Sequence, residues 1–441
     1  MRHVRDCYGF IGYAFFGALG WSAVSSPGTA ASPADTRSVI EGAFNCVYQI
    51  KTAVDADAPK TSYGSGFVID RSGILATNFH VVIDAMQRPK NYKVFVVQEG
   101  KATEAHVIRI DAVDDIAILK VDKTFPCQMT LAPARPALGE RMYSIGIPED
   151  LNKSIVEGVY NGENQFGPYS AIQMSSAINS GMSGGPTVNK NGEVVGLNVA
   201  ILRNAQNLAF AVPLSRLRAL MTKDPVTLPV DGKVDTLNRE IRAQLDVAQR
   251  KLTDDFSEST RQTHKIGKWS VLKMPTYYKC WREVTEQAKA ELSNEGCFLT
   301  YGTQIGGEER SGSIRASWSV VDNKRKSAPQ FYNLLNGMAG GGIFRSVGGE
   351  RRDDEDYTTN PLAGGDCKSE RVRNKNGLLL QLRYCIAAYR DLADLYSGSL
   401  VAAVVNERPQ GMIIRMDAAG FTMENLKKII TAQIDTVNLE K

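Results

Sequence analysis

Between Phe44 and Val212 the chain alternates short apolar runs with clusters of Gly, Pro, Asn and Asp. Val47–Lys51, Gly66–Asp70, Tyr92–Val97, Ala105–Ile110, Ile116–Val121, Ala171–Met174, Val194–Ala200 and Ala209–Val212 each have the length and composition of a strand. Many short strands punctuated by turn residues predict an all-β sandwich or barrel. The period then changes. Leu214–Met221 reads as a short helix, and Val234, Leu237, Ile241, Leu245, Ala248 and Leu252 recur at spacings of three and four, predicting an amphipathic helix over 234–253. Such a stripe is a packing face or strut far more often than a partner site. The polar stretch Thr253–Lys265 reads as a linker.

From Cys280 onward the pattern is mixed α+β, and two segments share one word order. The first runs Cys280, Cys297, Tyr301, Ser311–Ile314, Val320–Val321–Asp322 and Pro329–Gln330. The second runs Cys367, Cys385, Tyr389, Ser397–Leu400, Val404–Val405–Asn406 and Pro409–Gln410. This order reads as a degenerate repeat of 266–345 in 346–441. Gly337–Asp366 between the copies reads as a surface loop, its run Glu350–Asp356 a self-compensating solvated face. Strands are predicted at Leu378–Tyr389 and Leu400–Val405. A last helix over Thr422–Val437 is capped by Thr422 and buries Leu426, Ile429, Ile430 and Ile434.

The chain's beginning differs in kind. Arg2 and Arg5 precede seventeen residues without a charge, Tyr8–Val24, and a small-residue exit follows over Ser25–Ala34. That is the layout of a secretory signal over 1–34, with cleavage expected after Ala31 or Ala34. Export to the periplasm or beyond is therefore expected, with no stable membrane span once the signal is removed. Setting Cys7 aside leaves six cysteines, an even number that in an exported chain favours disulfides, with fifteen connectivities open. If the repeat is real, each copy closes its own bridge, Cys280–Cys297 and Cys367–Cys385, leaving Cys46–Cys127. No close CxxC pair suggests a metal, and four histidines in 441 residues strain any multi-histidine site. A formal charge of +4, 52 basic residues against 48 acidic, gives no electrostatic case for nucleic acid.

Three words carry the candidate chemistry: Thr77–Val82, Asp114–Val121 and Gly181–Pro186. Taken singly, His80 is a structural histidine, Asp115 a turn cap and Ser183 a tight-turn residue. Taken together they supply a base, a carboxylate to orient it and a nucleophile. A serine hydroxyl is a weak nucleophile at neutral pH, so an imidazole must take its proton and a carboxylate must hold the imidazole in the right tautomer. Glycines beside Ser183 allow the N–H groups of Gly181 and Ser183 to face a developing oxyanion.

Those words, in the order His80, Asp115, Ser183, resemble the trypsin-like (chymotrypsin-fold) serine peptidases, above all the bacterial HtrA/Deg group. Gly64–Asp70, Gly73–Val82, Asp114–Val121, Ser176–Asn198 and Ala209–Pro213 follow that group's pattern over about residues 40–222. The resemblance implies a double six-stranded β-barrel over 35–222 with the site between the barrels, Asp115 as the triad carboxylate, a polypeptide substrate and no cofactor or metal. Carried over residue by residue, it implies an S1 pocket lined by Ala177, Ile178, Asn198, Val199 and Ala200. None is charged, so a small or aliphatic P1 residue is expected. Met182 departs from the group, which usually has Asn there, and leaves room for a resting site. No carboxylate-binding loop of a PDZ domain follows Met221. A helix and linker over 223–265 and an α+β domain over 266–441 are expected instead. The reading is thus a multidomain exported peptidase, set against a latent protease-like platform that binds through its C-terminal half.

Overall fold

The structure is a computed structural model and describes residues 36–148, 153–166, 169–201, 208–224, 234–257, 261–287, 290–299, 302–306, 309–322, 327–340, 365–389, 392–404 and 410–440. The expected signal over 1–34 and the run Glu350–Asp356 lie outside these residues.

After α1 (Thr36–Phe44) come β1 (Val47–Ala53), β2 (Ser62–Asp70), β3 (Ile74–Thr77), α2 (Phe79–Gln87), β4 (Lys93–Gln98), β5 (Lys101–Asp111) and β6 (Ile116–Lys120). The six strands close into a barrel in the order β1-β2-β3-β6-β5-β4. A second closed barrel, β10-β11-β12-β9-β8-β7, is built from β7 (Arg141–Gly146), β8 (Ser154–Phe166), β9 (Tyr169–Met174), β10 (Pro186–Asn189), β11 (Val194–Ile201) and β12 (Ala209–Pro213). Closure removes the open strand edges that a β domain of this size would otherwise expose. Apolar residues alternating inward fill both barrels: Ile50, Val68, Leu75 and Leu119 in the first, and Ile145, Ile172, Val188 and Leu197 in the second. The double barrel expected from the resemblance is therefore present. The eight predicted strands all form, and β3, β7, β8 and β10 join them. β7 and β8 escape a period-two reading because polar and half-buried residues interrupt their apolar runs.

The helix α3 (Leu214–Met221) buries Leu214, Leu217 and Leu220. The next helix, α4 (Val234–Asp254), matches the predicted stripe, with Leu237, Ile241, Leu245, Ala248 and Leu252 all buried. The expected linker is partly ordered instead. Thr253 and Phe256 are buried, and β13 (Gln262–Ile266) pairs with β14 (Trp269–Lys273).

The remaining chain forms β15 (Lys279–Gln287), β16 (Ala290–Phe298), β17 (Thr303–Gly306), β18 (Glu309–Ser311), β19 (Ser313–Asp322), α5 (Ala328–Gly340), β20 (Asp366–Arg373), β21 (Leu379–Ala388), β22 (Tyr396–Val404), β23 (Gln410–Phe421), α6 (Met423–Asp435) and β24 (Asn438–Leu439). Seven strands make one antiparallel sheet, β15-β16-β19-β23-β22-β21-β20. Alternation along β23 explains its two covered faces: Met412, Ile414 and Met416 pack with Leu426 and Ile429 of α6, while Ile413 packs with Phe331 and Leu335 of α5. Thr422 caps α6, its hydroxyl accepting the Asn425 N–H. Ile430 is half-buried at the margin of that core. Disulfides join Cys46–Cys127, Cys280–Cys297 and Cys367–Cys385. The last two tie directly opposed residues of the hairpins at the two edges of the sheet. Among the described residues no helix is long and apolar enough to cross a membrane.

Candidate active site

The helix α2 starts at a position that ought to cap itself. Asn78 is a favoured N-cap residue, yet its side chain makes no capping bond. Its Nδ2 donates instead to the Asp115 carbonyl at 2.8 Å, and its Oδ1 is buried without a partner. The cap comes from the loop that leads into the neighbouring strand β6. The Asp115 carboxylate accepts the His80 backbone N–H at 2.8 Å, and the Asp115 carbonyl accepts the Phe79 N–H at 3.2 Å. The other carboxylate oxygen lies 2.7 Å from His80 Nδ1. An ionised carboxylate only accepts, so Nδ1 carries the proton and Nε2 is left as the basic nitrogen. Asp115 is held for this in left-handed backbone at φ 56°, a conformation that costs a non-glycine residue about 1–3 kcal/mol. Of the other described histidines, His106 is exposed and His264 lies 2.7 Å from Glu295, so His80 alone stands beside Asp115.

The loop carrying Ser183 belongs to the second barrel but is laced to the first. Ser65 of β2 donates its N–H to the Ser183 carbonyl at 2.7 Å and its hydroxyl to the Gly181 carbonyl at 2.7 Å, while accepting the Ile147 N–H at 2.8 Å. Ser65 lies inside the word Gly64–Asp70, but its role depends on a residue more than a hundred positions away. Gly184 turns the loop at φ 81°, where an added Cβ would lie 2.3 Å from the Ser65 carbonyl oxygen. The Ser183 hydroxyl donates to the Val199 carbonyl at 3.0 Å. Val199 sits at a register shift between Asn198 and Ala200, where β11 bulges against β12.

Met182 is fully buried in the core of the second barrel, packed against Gly146, where an added Cβ would come within 2.7–2.9 Å of Met182. The residue is thus an apolar anchor for the loop. Asn198 is also fully buried, and its amide is committed to that loop. Nδ2 donates to the carbonyls of Ile145 at 3.0 Å and Met182 at 3.3 Å, and Oδ1 accepts from the Thr187 hydroxyl at 2.6 Å. Of the other residues expected at S1, Ala177 is exposed, Ile178 is buried, Val199 is half-buried, and Ala200 pairs with Phe210.

Next to Asp115 stands a second carboxylate, Asp114. Burial, and after it the neighbouring Asp111, push the Asp114 carboxyl up to about 6, against the opposing pull of Arg216, Lys223 and Lys251. Asp114 lies 3.5 Å from the Arg216 guanidinium, and its N–H donates to Asp111 Oδ1 at 3.0 Å.

Residues 64–197 match the family described as trypsin-like peptidase domain. DegS, a serine endoprotease of Escherichia coli, is 31% identical over 184 residues, which are 39% of this chain and 49% of that protein. A Rhizobium meliloti protein classed with DegP-like periplasmic serine endoproteases is 33% identical over 206 residues, 44% of this chain and 38% of its own length. A solved serine endoprotease from Yersinia pestis is 25% identical with a TM-score of 0.37, covering 43% of this chain and 66% of that one. The chain spans less than half the length of these curated relatives. Through residues 64–197 the chain carries a trypsin-like peptidase domain, and in sequence it is similar to serine proteases of the HtrA/Deg kind.

Proposed function

We propose that this chain is an exported serine endopeptidase in which Ser183 is the nucleophile, His80 the general base and Asp115 its orienting carboxylate. The single observation that carries the proposal is the His80–Asp115 contact, 2.7 Å at Nδ1, which leaves Nε2 as the proton acceptor. Before attack the Ser183 hydroxyl turns from the Val199 carbonyl to that nitrogen. Its oxygen then adds to the peptide carbonyl as His80 takes the proton. The resulting oxyanion is held by the N–H groups of Gly181 and Ser183, each worth about 2.7–4 kcal/mol of barrier. His80 next protonates the leaving amine, and water, activated by the same imidazole, hydrolyses the acyl-Ser183 ester. The uncharged residues Ala177, Ile178, Val199 and Ala200 favour a small or aliphatic P1 side chain. Asn198 serves this preference indirectly, by fixing the loop. The periplasmic relatives support an exported setting.

The test is a peptide library offered to the secreted chain lacking residues 1–34, with matched small esters and a Ser183→Ala control. Cleavage after aliphatic P1 residues that disappears in the variant supports the proposal. Turnover of esters without turnover of peptides contradicts it.

A second reading, a latent platform that binds polypeptides without cleaving them, has one observation in its favour. The Ser183 hydroxyl donates its hydrogen bond to the Val199 carbonyl, which leaves the resting hydroxyl unactivated.

A further inference from the structure

We propose that Gln244, on a helix belonging to neither barrel, is a positioning residue for the His80–Asp115 pair. The inference deepens the peptidase reading and rests on it. β5 and β6 are joined by a hairpin loop that begins after Asp111, pairs Asp111 with Ile116, and carries Asp115 at its end. The loop's backbone has left the barrel ladder, so its polar groups need partners from elsewhere. Gln244 supplies one of them, and holds the end of β5 before the loop, with one amide. Its Oε1 accepts the Ala112 N–H at 2.7 Å, and its Nε2 donates to the Ile110 carbonyl at 3.3 Å. That pattern is what a neighbouring strand would have offered. Glu240 fixes which way the amide faces, because its carboxylate only accepts and lies 2.8 Å from Nε2.

The same helix braces the other half of the pair. Leu237, Ile241 and Leu245 of α4 lie in one apolar cluster with Val82, Ile83 and Met86 of α2, the helix that begins beside His80. Ile305 of β17 joins that cluster, and its carbonyl accepts from Gln87 Nε2 at 3.2 Å. One turn and a half beyond Gln244, Gln249 anchors α4 to the C-terminal sheet: it donates to the Gly420 carbonyl at 2.6 Å and to the Ser311 hydroxyl at 3.0 Å. Base and carboxylate are thus held from behind by one rigid rod rooted in the C-terminal half. Asp115 needs such support, since its strained backbone persists only where the surroundings over-determine it.

Removing the amide frees the Asp115 loop while leaving the rod's apolar seam intact. In the full secreted chain, Gln244→Met keeps the side-chain length and deletes both hydrogen bonds. We expect kcat to fall about tenfold with KM within about twofold of the parent, because loss of orientation is felt in the transition state and not in substrate binding. Thermal stability should stay within about 3 °C of the parent. The low-field NMR signal of the His80 Nδ1 proton should exchange with water faster in the variant, a readout that needs no turnover. Arg242→Ala, which breaks the exposed Arg242–Asp394 ion pair on the same helix, should leave kcat and the signal unchanged.

Parent-like kcat and exchange in Gln244→Met would overturn the inference. So would equal losses in Arg242→Ala, which would make α4 a general stability element. Faster exchange in Gln244→Met than in a parent chain that cleaves nothing would support the positioning role while removing the peptidase reading, so the two can fail separately.

Discussion

Replacing Asp114 by Asn tests whether a buried charge is held beside Asp115 at a cost. The folded chain keeps this carboxyl protonated up to about 6 against an ordinary value of 3.8, chiefly through burial. Between these values the native state binds the proton and the unfolded chain has released it, so stability falls as pH rises through the window. The difference, roughly 2 pH units at 1.36 kcal/mol each, makes the charged form cost about 3 kcal/mol once pH exceeds 6. Asn has the shape of the protonated acid and never ionises. Arg216 does not lose every partner in the variant, since its guanidinium also donates to the Ser170 hydroxyl at 3.2–3.3 Å. Urea unfolding at half-unit steps from pH 4 to 8 should therefore show parent and Asp114→Asn within about 0.5 kcal/mol at pH 4. The variant should gain as much as ~3 kcal/mol between pH 4 and about pH 7 and hold that gain to pH 8. A gap independent of pH, or a variant less stable than the parent at pH 8, would show that the ion pair with Arg216 outweighs burial and would refute the reasoning.

Three further outcomes follow from the packing. Gly146→Ala pushes a methyl into Met182, so it should destabilise the chain by about 1–3 kcal/mol in denaturant unfolding and lower activity by shifting the loop that carries Ser183. Removing the Cys46–Cys127 bridge, which spans 81 residues, should cost about 4.5 kcal/mol by chain entropy, read as a lower urea midpoint in a Cys46→Ala/Cys127→Ala double variant. Gln249→Leu removes the acceptor of the half-buried Thr422 N–H and one of two donors to the Gly420 carbonyl, which keeps the Ser311 hydroxyl, and should cost about 1–2 kcal/mol in the same assay.

What could be read from the chain was what local pattern and ordered words encode. His80, Asp115 and Ser183 stand in words whose flanking residues form the strands and turns that present them. The stripe from Leu237 to Leu252 gave away α4, because burial on one face leaves a 3.6-residue period. Gln244 is a polar residue at the margin of that stripe, and its partners Ile110 and Ala112 are more than 130 positions away, so periodicity does not reveal what it binds. Asn198 illustrates the opposite case. Its place in the strand after Ser183 suggests a pocket wall, and full burial turns its amide inward to the Ile145 and Met182 carbonyls. The polar stretch after Thr253 reads as a linker because nothing local reveals that Phe256 meets the C-terminal core.

We also propose that the two cystine hairpins descend from one duplicated unit. Their shared word order and their places at opposite sheet edges support it, and the copies part after Gln330 and Gln410, one in helix α5 and the other in strand β23.

The central claim is that Ser183 is an activated nucleophile. The most direct measurement is intact mass after treating the secreted chain lacking residues 1–34 with a fluorophosphonate, beside Ser183→Ala. The account predicts one phosphonyl group on the parent and none on the variant. A folded parent that takes up no label would contradict it and would leave the Ser183 hydroxyl where the structure has it, bound to the Val199 carbonyl.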